Sequence, residues 1–404
     1  MSEKIYSNFR HYLLGYLIFI TFLSFIILGS TFNLDTNNSV AEWIINYQGG
    51  FGRRGLAGEL LLNFSLLSKI HLKKIILFFI YFIISIYHIF LFNFLRKVKF
   101  NFYLILVVLS PLFVIFPISE LEALGRKDIL IPLFFLIFCM LYDKSDFVLL
   151  IFYLIVLYSF LIFTHEVSVF YLPFFYLLII FKIRKFNVLN IFLLIIVSIY
   201  FLTILILFIK FNHSEFSIIK MCEILENKFD TKCGLGAYVL DRSLIDNIKE
   251  LGGIKFIDII RAVFIFFLGS IGLLILLFTT KKNIYSKNIL LKSINFKYIF
   301  FFIFLCTLIP FFIAVDWGRW FNLSYTMCAL IFIFCLKNKI IFINKVRNLI
   351  SLQFFEKKKI YLGIILFIIC FSWNPKAIYR DDIGSIPIYR ASVKVFKIIN
   401  NSIN

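Results

Sequence analysis

Residues 187–209 read NVLNIFLLIIVSIYFLTILILFI, a run without a single charged side chain. A bilayer's hydrocarbon core is about 30 Å thick, and roughly 20 apolar residues in an α-helix cross it. The spacing therefore predicts a spanning helix here. Residues 147–164, FVLLIFYLIVLYSFLIFT, make a second such run. Working outward, similar segments fall near 11–29, 75–95, 102–118, 129–142, 167–181, 256–279, 298–315, 321–336 and 360–373. The chain is read as all-α, a polytopic helical membrane protein of about 11 transmembrane helices. A further apolar stretch, Leu56 to Ile70, is too short to span comfortably and is expected to lie in the interface or re-enter the membrane.

Composition agrees. Of the 404 residues, 62% are hydrophobic and only 16% charged, far from the usual balance of a water-soluble domain. Disorder needs low hydrophobicity and is excluded. The run from Tyr12 to Gly29 is longer than a signal-peptide core and lacks a small-x-small cleavage site, so it is read as a retained first span. Residues 1–373 are expected to form one integral-membrane helical domain, and 374–404 a short external tail.

The formal charge of +20 does not call for nucleic acid, because no basic soluble domain accompanies it. Lys and Arg instead concentrate in cytoplasmic loops of membrane proteins. With the N-terminus inside and eleven crossings, they are about twice as dense in the inner loops as in the outer ones. The outer segments are then 30–74, 119–128, 164–166, 210–255, 316–320 and the tail.

Most distinctive polar residues fall on that outer face. The first loop carries Glu42-Trp43 and Gly49-Gly50-Phe51-Gly52-Arg53-Arg54-Gly55. Its literal GxGxxG lacks the strand and βαβ setting of a nucleotide fold, so it is no dinucleotide fingerprint. Glycines and a following helix N-terminus still suit an anion, and Arg53 and Arg54 add charge-assisted bonds to phosphate oxygens. Gly125-Arg126-Lys127-Asp128 is a candidate second clamp on the same anion, and Asp316-Trp317-Gly318-Arg319-Trp320 adds Asp316 and Arg319. His165-Glu166 occupies a tight turn at the membrane surface, where a carboxylate with a raised pKa suits a general base. Each motif has a plainer reading as lipid-phosphate contact, helix cap, polar turn or aromatic belt, and their convergence on one face favours a site. The spacing of His165-Glu166 does not suit a metal, and no cofactor is called for. Cys222 and Cys233 in the loop 210–255 can close a disulfide if that loop faces an oxidising compartment.

In size, Phe- and Ile-rich multi-span layout, external loop between the seventh and eighth spans and scattered external arginines, the chain resembles the O-antigen or oligosaccharide repeat-unit polymerases. Its long first external loop with a membrane-parallel helix is similar to that of the wider C-type integral-membrane glycosyltransferases. The resemblance implies a polyprenyl-diphosphate-linked oligosaccharide as substrate at the periplasmic face of the bacterial inner membrane, with a chain-length regulator as partner. Arg53, Arg54, Arg126, Lys127 and Arg319 would hold the departing diphosphate, with Asp128 and Asp316 beside them and Glu166 or His165 as base. A C-type enzyme offers an acidic catalytic residue in the first loop, whereas here Asp35, Glu42 and Glu59 stand isolated. Two other classes stay open. A lipid-linked oligosaccharide flippase would need charge through the depth of its helices, which the nearly neutral helix centres do not supply. A polysaccharide acyltransferase would use His165 as its base.

Overall fold

A computed structural model describes residues 2–183, 187–210, 214–238, 240, 244–282, 294–343 and 359–373, with a few isolated positions beyond. The expected tail at 374–404 lies almost wholly outside the described residues. The fold is helical. Among the described residues, a short ladder joins three-residue strands, Thr280–Lys282 and Ile341–Ile343, antiparallel with Thr280 opposite Ile343. Both strands come from loops assigned to the inner face, and their pairing places them on one side.

Among the described residues, six helices are long and apolar enough to cross a membrane. They are Phe9–Thr31, Leu72–Leu95, Phe147–Thr164, Val188–Phe208, Phe256–Thr279 and Trp317–Lys337. The remaining five predicted crossings are short or broken among the described residues, and proline interrupts two of them. Pro111 ends the helix Phe102–Val108 region, and the chain turns before a second short helix, Phe116–Ser119, with Pro117 in its first turn. Pro310, in the first turn of a 3₁₀ segment at Ile309–Phe312, has no N–H with which to continue the helix Phe296–Cys306. Pro132 and Pro173 sit at the starts of Leu130–Tyr142 and Leu172–Lys182, where a missing N–H costs little. Thirteen residues of helix reach only about 20 Å, short of a full crossing. The fifth, Lys359–Phe371, starts where the described residues resume, and its described part holds no proline. The short apolar helix expected near 56–70 is present as Gly55–Ser68.

The chain forms two compact units. One comprises Met1–Ile27, Leu91–Ala123 and Glu250–Asn404. Its centre is Trp317–Lys337, buried along most of its length. The broken segment after Phe102–Val108 is buried too, so its exposed backbone carbonyls need partners. Asn322 supplies them, its Nδ2 donating to Leu112 O (2.9 Å) and Phe113 O (3.0 Å), and the Tyr325 hydroxyl donates to Val107 O at 3.0 Å.

The other unit comprises Leu28–Phe90 and Leu124–Lys249. Here Gly55–Ser68 packs against Ser159–Thr164, the last turns of a continuous helical stretch from Phe147. Within that stretch Leu154–Tyr158 is π-helical, a bulge often tied to function. The Tyr158 hydroxyl donates to Ser168 O, fixing the chain just beyond His165. Part of the loop 210–255 folds as Glu215–Phe229, capped by Ser214 and closed by Asp230 in a left-handed conformation. A disulfide joins Cys222 to Cys233 with Cα atoms 5.5 Å apart, so the pairing open at the level of sequence is formed.

Candidate functional site

The loop that precedes Gly55–Ser68 is held by that helix. Glu59 accepts hydrogen bonds from Tyr47 N (3.0 Å) and Gln48 Nε2 (2.8 Å). Isolated in the sequence, this carboxylate is a loop brace. A lone acid in an otherwise apolar helix was the available signal. The loop ends at Arg54, whose φ of 65° is left-handed and aims the chain into Gly55–Ser68. Lys127 Nζ donates to Arg54 O at 2.9 Å and locks that turn. Expecting these glycines to make room for a ligand is corrected at Gly49, where a Cβ would lie 1.9 Å from Ser217 O. Packing against the helix Glu215–Phe229 already fills that space.

Around the turn, four segments assigned to the outer face meet in one unit. The Arg54 Nε donates to both carboxylate oxygens of Glu166, at 2.8 and 2.7 Å. Arg53 Nη1 lies 3.7 Å from the same carboxylate, and its Nη2 donates to Leu240 O at 3.1 Å. Asp128 Oδ1 is 2.7 Å from His165 Nε2. Arg126 pairs with Glu42, and the Trp43 indole N–H donates to Gly125 O at 2.6 Å. Lys127 lies over the Trp43 ring, 5.7 Å from its centroid.

The cluster has an open edge and a sealed interior. The side chains of Arg53, Arg54, Glu166 and Asp128 keep between 15 and 18% of their surface exposed, so an approaching ligand meets them first. Lys127 and His165 are wholly buried, and Glu42 and Arg126 nearly so. Seven of the nine sequence-derived candidates therefore share one cluster: Arg53, Arg54, Arg126, Lys127, Asp128, His165 and Glu166. Asp316 and Arg319 belong to the other unit, where they pair with each other and Arg319 lies over the Trp320 ring. Sequence reasoning missed Glu59, Tyr158 and Ser168.

Two expectations about roles change. Burial alone would raise the Glu166 carboxyl, but Arg54 and Arg53 beside it outweigh burial and hold it well below the usual carboxylate range. The raised pKa expected for a base is thus reversed, because both guanidiniums sit on the carboxylate. Lys127 is no open clamp either. Burial pushes its ammonium down to about 7, a drop that Glu42 partly offsets and Arg54 reinforces.

The Lys127 shift has a stability consequence with a definite sign. In the unfolded chain the lysine titrates near 10.5. Between the folded and unfolded values the unfolded chain binds more protons, so rising pH favours the folded state. Below about 7 both states carry the proton, and the cost of burying it is complete. The unfolding free energy of the wild type minus that of Lys127→Met should therefore climb across this window, read by thermal unfolding in detergent. A flat difference would mean that the lysine stays charged in the fold.

Chemically, the arrangement offers two guanidiniums on an apolar helix N-terminus, an anion already seated on them, and an imidazole tied to a carboxylate next door. Comparison with family models, with curated proteins and with solved structures finds no match to this chain.

Proposed function

We propose that the chain is a membrane glycosyltransferase that joins polyprenyl-diphosphate-linked oligosaccharide repeat units at the periplasmic face of the bacterial inner membrane. The observation that carries this reading is the Arg53-Arg54 pair at the start of the apolar helix Gly55–Ser68, with the Glu166 carboxylate lying on it. A helix N-terminus and paired guanidiniums favour phosphate oxygens. A lipid-linked diphosphate is an anion that arrives at the membrane surface, where such a helix meets it. Glu166 then serves as the resident counter-anion that the diphosphate displaces.

The disulfide Cys222–Cys233 supports the sidedness. Such bonds persist in oxidising compartments, and its segment touches the loop carrying Arg53 through Leu240 O and Ser217. An external cluster and a cytoplasmic N-terminus follow from the eleven-crossing arrangement. The broken segments fit it as crossings shielded by protein, since irregular backbone is tolerated at membrane depth only where it is buried.

In this mechanism Arg53 and Arg54 stabilise charge on the departing diphosphate, and a base takes the proton of the acceptor hydroxyl. Deleting the gene in its host should collapse the long-chain polysaccharide ladder to a single repeat. Complementation with Arg54→Ala should restore about 1% or less of wild-type polymerisation, the usual loss when one such donor is removed. An unchanged ladder on deletion would falsify the proposal. Loss of all exported repeats would replace it with a flippase, and a single repeat lacking one sugar with a transferase for that sugar.

A further inference from the structure

We infer that Asp128 serves His165 rather than the anion, and that the Asp128–His165 dyad, not Glu166, is the base that activates the acceptor hydroxyl. The inference rests on the transfer activity proposed above and assigns a role within that same site.

The geometry separates the two neighbours at 165 and 166. Glu166 gives both oxygens to Arg54 and lies against Arg53, so a proton on it would compete with two guanidiniums. His165 meets a carboxylate through Nε2 alone, at 2.7 Å. An ionised carboxylate only accepts, so Nε2 carries the proton and the lone pair of the neutral ring is on Nδ1. That atom is buried and has no hydrogen-bond partner among the described residues. One ring nitrogen fixed by a carboxylate and the other left for a proton is the arrangement a general base needs.

The same turn holds two more orphans. Thr164 Oγ1 and Ser168 Oγ are also buried without partners among the described residues. A buried polar atom with nothing to satisfy it is costly, so such atoms call for a partner. Two hydroxyls and an imidazole nitrogen within residues 164–168 suit a ligand rich in hydroxyl groups, such as the acceptor sugar. Access follows from the counter-anion. A diphosphate that takes Arg53 and Arg54 releases Glu166, which is covalently next to His165, so the turn gives up one of its contacts while Tyr158 keeps its hold at Ser168.

The step then balances. The acceptor O–H gives its proton to Nδ1, and its oxygen bonds to the anomeric carbon. The bond from that carbon to the diphosphate oxygen breaks, and the electron pair leaves with the polyprenyl diphosphate on Arg53 and Arg54. The imidazolium beside Asp128 returns its proton to water.

The test uses the full chain in membranes and, as substrate, the diphosphate-linked lipid fraction extracted from the deletion strain. His165→Gln should lower kcat at least about 100-fold with KM changed less than about 3-fold, as loss of a general base does. Asp128→Ala should follow it in kcat, and Asp128→Glu should recover part of the loss. Glu166→Gln removes the counter-anion that the diphosphate displaces, so it should act mainly on KM, with a kcat loss smaller than that of His165→Gln. A Glu166→Gln loss matching that of an otherwise active His165→Gln would overturn the inference, as would an Asp128→Ala effect confined to KM. A second readout needs no activity. The chain has five histidines, so ¹⁵N-histidine spectra of the membrane-embedded protein are simple to assign with His165→Gln. His165 should show the Nε2-protonated tautomer, changed by Asp128→Ala; the opposite tautomer would refute the dyad. Should the ladder persist on gene deletion, the transfer activity fails, while the tautomer result still stands or falls by itself.

Discussion

Arg126→Ala is expected to cost about 3–5 kcal/mol of stability, the largest effect of any single change in the charged cluster. Arg126 and Glu42 are both buried and paired, so neither ion keeps the water it had in the unfolded chain. Removing one partner leaves the other charge in a low-dielectric setting without its counter-ion, which is far worse than never having the pair. Lys127 also acts on Glu42, and it is too deeply buried to replace a guanidinium in contact. The double change Glu42→Leu with Arg126→Met should recover most of the loss, because well-packed apolar side chains often match a buried ion pair. Thermal unfolding in detergent of both singles and the double closes the cycle. If Arg126 were instead an anion clamp open to ligand, its alanine variant would weaken substrate binding and leave the unfolding midpoint nearly unmoved.

Arg126 also shows how far the sequence carries. Its expected grouping with Arg53, Arg54 and His165-Glu166 was legible, because alternation of long apolar runs and the bias of Lys and Arg need only counting. The gathering of 30–74, 119–128, 164–166 and 210–255 follows from the same alternation. The partners were not legible. That Arg126 faces Glu42 while Lys127, one residue on, reaches Arg54 O depends on the 3₁₀ turn that opens at Lys127, and no spacing rule reports it. Glu166 misled for the opposite reason. A carboxylate at a membrane surface does tend to a raised pKa by burial. Only the fold reveals that Arg54, over a hundred residues earlier, sits on both of its oxygens. The span count exceeded the long helices because hydropathy windows weigh Pro111 and Pro310 as mildly polar residues, whereas the backbone treats each as a missing donor and a clash.

Gly58→Ala is expected to destabilise the protein by about 3 kcal/mol or more and to abolish activity, against the direction that helix propensity alone would give. Alanine is favoured over glycine inside a helix by up to about 1 kcal/mol. At Gly58, however, a Cβ would stand 1.9 Å from Ile45 O, 2.7 Å from Ile45 C and 2.9 Å from Trp43 O. All three are backbone atoms, and no side-chain rotation relieves them. The helix Gly55–Ser68 must move away, and its start carries Arg54. A shift there breaks the Lys127 lock on Arg54 O and the grip of Arg54 on Glu166 together. Gly15→Ala is the control: a Cβ there meets nothing within 4 Å, and its effect should stay within about 1 kcal/mol. Unfolding midpoints of the two alanine variants, read beside the polysaccharide ladder each supports, separate the outcomes. A Gly58→Ala protein as stable and as active as Gly15→Ala would mean that the helix does not approach the Trp43–Ile45 backbone this closely, and the aim of Arg54 would need another cause.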